Sequence, residues 1–180
     1  DEMTSEIKVY EATRNAGTSV GQRLEHWRFA WVVGMEKPLT GWGVAGYTAE
    51  KAKRVASGEY KKPILEYKFV HNEVMDVFVK TGLVGLALLL WFYMLPIWMF
   101  WPTQARMQMF EGGDPGQRRM MLALRMSGVC VPVLYVGFGF TQVFFAHNSG
   151  IMFYLFSIIL LWSMVQGLER CVLSQRVAQR

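Results

Sequence analysis

The stretch that decides the fold is "TGLVGLALLLWFYMLPIWMFWPTQA", residues 81–105, which contains no charged side chain. A second uncharged stretch extends over residues 126–168. A helix that crosses a bilayer needs about 20 mainly apolar residues, so the first stretch has room for one such helix and the second for two. The turn between those two falls at the small and polar sequence "FFAHNSG", residues 144–150. We therefore predict an all-α membrane protein with three transmembrane helices.

The residues before these stretches have a different composition. Residues 1–70 carry 11 basic and 9 acidic side chains and no long apolar run, which predicts a water-facing segment of helices and loops. We expect three parts: this segment at 1–70, a three-span part at 71–170 and a tail at 171–180. The chain opens on a polar stretch without a signal peptide. We therefore expect a polytopic membrane protein fragment, the C-terminal part of a longer chain whose earlier spans precede this one.

Two short basic segments predict the orientation in the membrane. The connection at 101–125 and the tail after residue 168 each contain more arginine than acidic residues. Short basic loops lie on the cytoplasmic side, so we predict that both are cytoplasmic; their arginines are Arg106, Arg118, Arg119, Arg125, Arg170, Arg176 and Arg180. Three spans then place residues 1–75 and the 146–150 turn on the opposite face. The net charge of +5 is divided between the two faces, which gives nucleic-acid binding little support.

The sequence "TSVGQRLEHWRFAWVVG", residues 18–34, predicts a helix. Ser19 is the expected N-cap, with Gln22 completing a capping box, and the helix should end between Gly34 and Pro38. Its apolar side chains form one stripe at helical spacing: Val20, Leu24, Trp27 and Trp31. We expect this stripe to lie at the membrane surface.

Two arginines, Arg23 and Arg28, flank that stripe. One interpretation directs their guanidinium groups at an anionic ligand; the other is that they only reach out to water or to lipid phosphates. Glu25 and His26 fall on the polar side of the helix, so we predict that His26 is solvated.

Two polar segments follow this helix. In "PLTGWGVAG", Gly41, Gly43 and Gly46 around Trp42 predict a tight turn where the backbone closely approaches another part of the chain. Residues 48–66 predict a helix and a mobile loop that would cover a functional site. Their basic side chains are expected to form a solvated surface: Lys51, Lys53, Arg54, Lys61 and Lys62.

The sequence "HNEVMDVFVKTG", residues 71–82, places polar side chains where the first span begins. On a helix, Glu73, Asp76 and Lys80 share one face. That face cannot point at lipid, so it must point at protein or at a wet cavity. His71 and Asn72 would then lie at the bilayer surface, where a histidine has either a structural or a catalytic role.

Three motifs, in order, resemble the C-terminal half of the O-antigen ligase family: "SVGQRLEHWRFAW" (19–31), "PLTGWG" (38–43) and "HNEVMDVFVKTGLVGL" (71–86). The resemblance covers about residues 18–100. It implies a bacterial inner-membrane glycosyltransferase that moves a glycan from undecaprenyl pyrophosphate to a lipid A-core acceptor on the periplasmic face, with no metal or other cofactor. It carries the family's essential histidine to His71 and its motif arginine to Arg23, with Arg28 a weaker match.

The chemistry of these side chains suits that reaction. Arginine pairs with phosphate oxygens through a planar fork and stays charged, so Arg23 and Arg28 are candidates for the donor pyrophosphate. An imidazole, with an ordinary pKa of about 6.5, can accept the proton of an acceptor hydroxyl, which makes His71 the candidate base. Asn72 or Glu73 would orient its ring, and His147, in the 146–150 turn, is a further candidate for the same cavity.

Two alternatives remain open at this point. Within the same superfamily, the protein could instead be an O-antigen polymerase or a protein O-oligosaccharyltransferase, because the sequence does not show which residues bind the acceptor. In another class, it could be a transporter or channel subunit. A transporter is expected to place ionisable groups at mid-membrane, whereas here they gather at one end of the first span.

Overall fold

The computed structural model describes residues 2–13 and 17–178. Over these residues it is helical apart from turns and loops, with no strand, which confirms the predicted all-α class. The α-helices are α1 (Glu2–Thr13), α2 (Ser19–Glu36), α3 (Gly43–Ala56), α4 (Glu73–Phe100), α5 (Gln104–Met107), α6 (Pro115–Gly139) and α7 (Asn148–Ala178). Short 3₁₀ helices occupy Lys62–Leu65 and Gln108–Phe110.

Three of these helices, α4, α6 and α7, are long and apolar enough to cross a membrane. Large apolar side chains cover their outer surfaces, among them Trp98, Phe153 and Phe156. In water such surfaces would be costly, whereas lipid solvates them. The prediction of three transmembrane helices is confirmed, and the chain is a multi-pass membrane protein.

The described chain divides into two compact units, and the division falls inside α4. The first unit contains the residues up to Leu90 together with Phe138–Phe144. Its apolar core joins one face of α2 to α3, to the 3₁₀ turn and to the start of α4; the core residues are Phe29, Ala30, Val33, Tyr47, Tyr60, Ile64, Val70 and Val79. This core positions the segments that carry the candidate site.

Helix α4 is interrupted at Gly82, whose φ of 67° is not helical. A β-carbon at Gly82 would lie 2.3 Å from the carbonyl carbon of Leu39, and one at Gly41 would lie 2.4 Å from that of Lys80. The two backbones therefore touch, and only glycine fits at either position. This contact confirms the predicted close approach at Gly41, although Gly46 belongs to helix α3.

The backbone groups freed by the interruption find partners in the 38–42 turn. The amide of Leu83 donates to the carbonyl of Pro38 at 2.8 Å, and the amide of Trp42 donates to the carbonyl of Val79 at 3.0 Å. Irregular backbone near a membrane is tolerated where protein satisfies its polar groups. The turn thus ties the end of α2 to the interruption in α4.

The second unit contains Trp91–Gly137 and the residues from Phe145 onward. Arg125, predicted to lie in the cytoplasmic connection, is instead inside α6 and only 2% exposed. Its guanidinium group donates to the carboxylate of Glu169 on α7 at 2.6 Å. The prediction for Arg125 was wrong because the sequence places this charge next to an apolar stretch and does not reveal its partner 44 residues away.

Candidate functional site

The first two turns of α2 present a row of polar side chains to a small cavity of the first unit. The helix is capped by Thr18, whose hydroxyl accepts the amide of Gly21 at 3.0 Å, so the predicted N-cap, Ser19, was wrong by one residue. The cavity has a volume of about 110 Å³. Its lining comprises Ser19, Gln22, Arg23 and His26 from α2, with Tyr67, His71 and Gln142 from elsewhere in the same unit.

The polar side of α2 is more buried than predicted. Trp31, placed in the apolar stripe, is 56% exposed, while Glu25 and His26 are buried. The carboxylate of Glu25 accepts a hydrogen bond from the hydroxyl of Tyr10 on α1. The prediction that His26 is solvated is therefore wrong. The physical reason is that α2 carries apolar side chains on several faces, and lipid can cover one of them as well as protein can.

The backbone at His71 is held in an uncommon conformation by its neighbours. His71 has a φ of 57°, in the left-handed region that non-glycine residues seldom adopt. On one side, the amide of Val70 donates to the carboxylate of Asp76 at 3.1 Å. On the other, the side-chain oxygen of Asn72 accepts the amide of Met75 at 3.0 Å, which caps α4. Strain of this kind persists only where surrounding bonds enforce it.

The polar face predicted at the start of α4 points inward. Glu73, Asp76 and Lys80 are all buried, which confirms that this face avoids lipid. Both carboxylate oxygens of Asp76 accept hydrogen bonds from the ammonium group of Lys80 at 2.7 Å. Asp76 therefore has two tasks: it neutralises a buried cation and it fixes the backbone next to His71.

His26 is the most deeply buried titratable side chain of the cavity, at 1% exposure. Burial lowers its pKa to about 4, and the positive charge of Lys51 acts in the same direction against a smaller opposing effect of the Pro63 carbonyl. Neither ring nitrogen has a hydrogen-bond partner of normal geometry among the described residues. At neutral pH the ring is uncharged.

Tyr67 lies between the two histidines of the cavity. Its ring meets that of His71 edge-on at 5.0 Å between centroids and that of His26 at 5.8 Å. The carbonyl of Tyr67 accepts a hydrogen bond from the ammonium group of Lys51 at 2.6 Å. Lys51 is 3% exposed, so its predicted place on a solvated surface was wrong; burial, with Lys80 acting in the same direction, lowers its pKa to about 8.

Comparison with known proteins gives two results. Residues 2–90 match the family model described as O-antigen ligase. Over that segment the chain is similar to the O-antigen ligase family. It is also 31% identical, over 150 residues, to an uncharacterized protein of Haemophilus influenzae (strain Rd). The alignment covers 83% of this chain and 35% of that relative, so the chain spans about a third of the relative's length.

The structure brings together two of the residues for which the O-antigen ligase family gave an expectation. Arg23 and His71 line the same cavity. Arg28 does not line it: its guanidinium group lies 4.0 Å from the carboxylate of Glu25 and 5.7 Å from the centre of the Tyr60 ring. The side-chain oxygen of Asn72 caps α4, and its side-chain NH₂ group donates to the carbonyl of Phe140 at 3.4 Å.

Neither His147 nor Glu73 is among the residues that line the cavity. His147 has an exposed side chain in the second unit, directly before α7, and its carbonyl accepts the amide of Ile151 at 3.2 Å. Glu73 is buried in the first turn of α4. In the described part of the chain, no three His, Cys, Asp or Glu side chains converge as ligands for a metal ion.

Sequence reasoning missed five residues of this cavity. Ser19, Gln22, Arg23 and His26 have the spacing of one helical face. The sequence could therefore have predicted that these four polar side chains of α2 lie together. The carboxamide of Gln142 and the ring of Tyr67 had no comparable signal, because each lies in a short non-helical segment.

Proposed function

We propose that this protein is an O-antigen ligase that transfers a glycan from undecaprenyl pyrophosphate to a lipid A-core acceptor with inversion at the anomeric carbon. The observation that supports this proposal is the shared cavity of Arg23 and His71, an anion-binding group next to a proton acceptor. The family match supports glycosyl transfer of the ligase or polymerase type. The active site would lie on the periplasmic face of the inner membrane, where the lipid-linked donor and the acceptor meet.

In the proposed reaction the acceptor hydroxyl oxygen forms a bond to the anomeric carbon while the bond from that carbon to the pyrophosphate oxygen breaks. His71 accepts the hydroxyl proton as the new bond forms. The bond electrons pass to the leaving pyrophosphate, whose growing negative charge Arg23 stabilises. Because the displacement is direct, it needs one base and forms no covalent intermediate with the protein.

The neighbours of these two residues have supporting parts in the proposal. Asn72 caps α4 and so fixes the backbone from which the His71 ring projects. Arg28, which faces Glu25 and Tyr60, would add positive potential to the same helix without contacting the pyrophosphate directly. Glu73 and His147 remain predictions for the same reaction.

The proposal is tested with the full-length protein reconstituted in liposomes with undecaprenyl-pyrophosphate-linked glycan and a lipid A-core acceptor. The products are separated as a lipopolysaccharide ladder on a gel. We expect wild-type protein to form the ladder and Arg23→Lys to lose about 10- to 100-fold in rate, because lysine keeps the charge without the bidentate fork. Arg28→Lys should lose less, and Arg118→Lys, at an exposed arginine of α6, is the matched control with unchanged rate.

Other outcomes would identify the alternatives. Lengthening of the lipid-linked glycan without transfer to lipid A-core would indicate a polymerase. Transfer to a pilin-like protein supplied in place of lipid A-core would indicate a protein O-oligosaccharyltransferase. Absence of any glycan transfer by wild-type protein would contradict the proposal altogether.

A further inference from the structure

The side chain of His26 has features that the reaction above does not use. It is buried to 99%, it lines the cavity, and both ring nitrogens lack a hydrogen-bond partner of normal geometry. A buried polar group without a partner costs free energy. A leucine or phenylalanine at this position would avoid that cost, so the imidazole calls for an explanation other than packing.

The position of His26 relative to Arg23 suggests what it binds. The two residues are three apart on α2 and line the same cavity, so they lie one above the other on one helical face. Gln22 and Ser19, one and two turns earlier, also line it. This row offers a hydroxyl, an amide, a guanidinium and an imidazole N–H on one face of the helix, all of which can bond the oxygens of an anion.

We propose that His26 is a ligand-binding residue of the cavity, and that its uncharged imidazole donates a hydrogen bond to an oxygen of the diphosphate that Arg23 holds. The inference rests on the proposed function for the identity of the diphosphate as that of the lipid-linked donor. His26 would bind the donor and take no part in proton transfer.

The electrostatics of the cavity support a hydrogen-bond donor at His26 that stays uncharged. Burial, with the positive charge of Lys51 acting in the same direction, holds the pKa of His26 at about 4. An uncharged imidazole carries one N–H donor and does not compete with His71 for the acceptor proton. The cavity is small, with a volume of about 110 Å³. That suits a compact anionic group better than a glycan.

Variants of His26 in the full-length protein separate binding from packing. His26→Phe keeps an aromatic ring without a donor, and His26→Gln keeps an N–H donor without a ring. We expect His26→Phe to raise KM for the lipid-linked donor about 10- to 100-fold, as for a lost hydrogen bond to a charged group, with kcat within a few-fold. His26→Gln should stay within about threefold of wild type in both constants. If His26→Phe does not accumulate in the membrane, His26→Met replaces it.

Direct binding distinguishes failure of this inference from failure of the proposed function. Inorganic pyrophosphate and undecaprenyl pyrophosphate are each titrated into detergent-solubilised wild type, His26→Phe and His26→Gln by calorimetry. Weaker binding of both compounds to His26→Phe alone would support the site even if no glycan transfer were found. If only undecaprenyl pyrophosphate binds more weakly to His26→Phe, the diphosphate that His26 contacts is that of the lipid-linked compound and not free pyrophosphate.

Two results would overturn the inference. The first is wild-type KM and wild-type pyrophosphate affinity in His26→Phe. The second is equal loss in His26→Phe and His26→Gln, since the N–H donor would then not be what matters. Either result is compatible with continued glycan transfer by His71 and Arg23, so the proposed function would stand.

Discussion

Each of the two units contains an ion pair with a buried charge on a membrane-spanning helix, and the pairs do different things. In the first unit, Asp76 and Lys80 are one turn apart on α4. In the second, Arg125 of α6 bonds Glu169 of α7 across 44 residues of sequence. The Arg125 pair joins two transmembrane helices, whereas the Asp76 pair joins no helices but holds the backbone that leads to His71.

The difference shows how a buried charge can serve a site. A buried ion pair is weak evidence of net stabilisation, because desolvation opposes the attraction. The Asp76 carboxylate has a third hydrogen bond, to the amide of Val70, and Val70 directly precedes the one described non-glycine residue with positive φ, His71. We infer that the pair in the first unit maintains the geometry of the cavity and the pair in the second unit maintains helix packing.

The largest effect is expected from removing one partner of each pair. Asp76→Ala leaves Lys80 buried without its carboxylate and frees the Val70 amide, so it should lower the free energy of unfolding by about 3–5 kcal/mol. Glu169→Ala should cost less, because Arg125 keeps its hydrogen bond to the carbonyl of Met99 at 3.4 Å and the Glu169 side chain, at 22% exposed, is the less buried partner. Thermal unfolding in detergent measures both changes.

Activity per folded molecule then separates the roles of the two pairs. Asp76→Ala should lower glycan transfer after correction for the folded fraction, and Glu169→Ala should not. Asp76→Asn, which keeps an oxygen for the Val70 amide, should retain more transfer than Asp76→Ala. Equal activity loss in the Asp76→Ala and Glu169→Ala proteins would remove the distinction between the pairs.

A smaller contrast is expected between glycines of the two units. Gly82→Ala would place a methyl group 2.3 Å from the backbone of Leu39 at a φ of 67°, so we expect destabilisation by about 2–4 kcal/mol from strain and overpacking. Gly167→Ala, in the middle of α7 with nothing within 4 Å of the added carbon, should be neutral or stabilising by up to about 1 kcal/mol. A neutral Gly82→Ala would show that the turn at 38–42 does not touch α4 in the membrane.

The sequence predicted those features that depend on spacing along one helix. The inward polar face of Glu73, Asp76 and Lys80 follows from positions i, i+3 and i+7, and the three spans follow from uncharged length. The close approach at Gly41 was legible because glycines cluster around a tryptophan. In each case the neighbours in sequence are also the neighbours that matter in space.

Features that depend on distant partners could not be predicted in the same way. The burial of His26 on α2 was missed because exposure to lipid and burial in protein select the same apolar side chains. Glu25 and His26 were placed on the polar side of α2, and His26 in solvent, yet Tyr10 contacts Glu25 and Tyr67 contacts His26 from other segments. Lys51 was assigned to a solvated surface, yet its partner is the carbonyl of Tyr67. Every residue has a backbone carbonyl, so a sequence pattern cannot predict which one a lysine will contact.

The proton-accepting role of His71 is the central claim of the account, and His71→Asn tests it most directly. Asparagine tolerates a positive φ and so preserves the backbone, but it cannot accept a proton at neutral pH. His71→Gln and His71→Ala complete the series, and lipopolysaccharide ladders are compared in a ligase-deficient strain at equal membrane levels of the full-length proteins. We predict that all three variants accumulate and lose about 10²- to 10⁴-fold in transfer rate. A full ladder from His71→Asn or His71→Gln would contradict the account, because the histidine would then serve only as a polar anchor at the membrane surface.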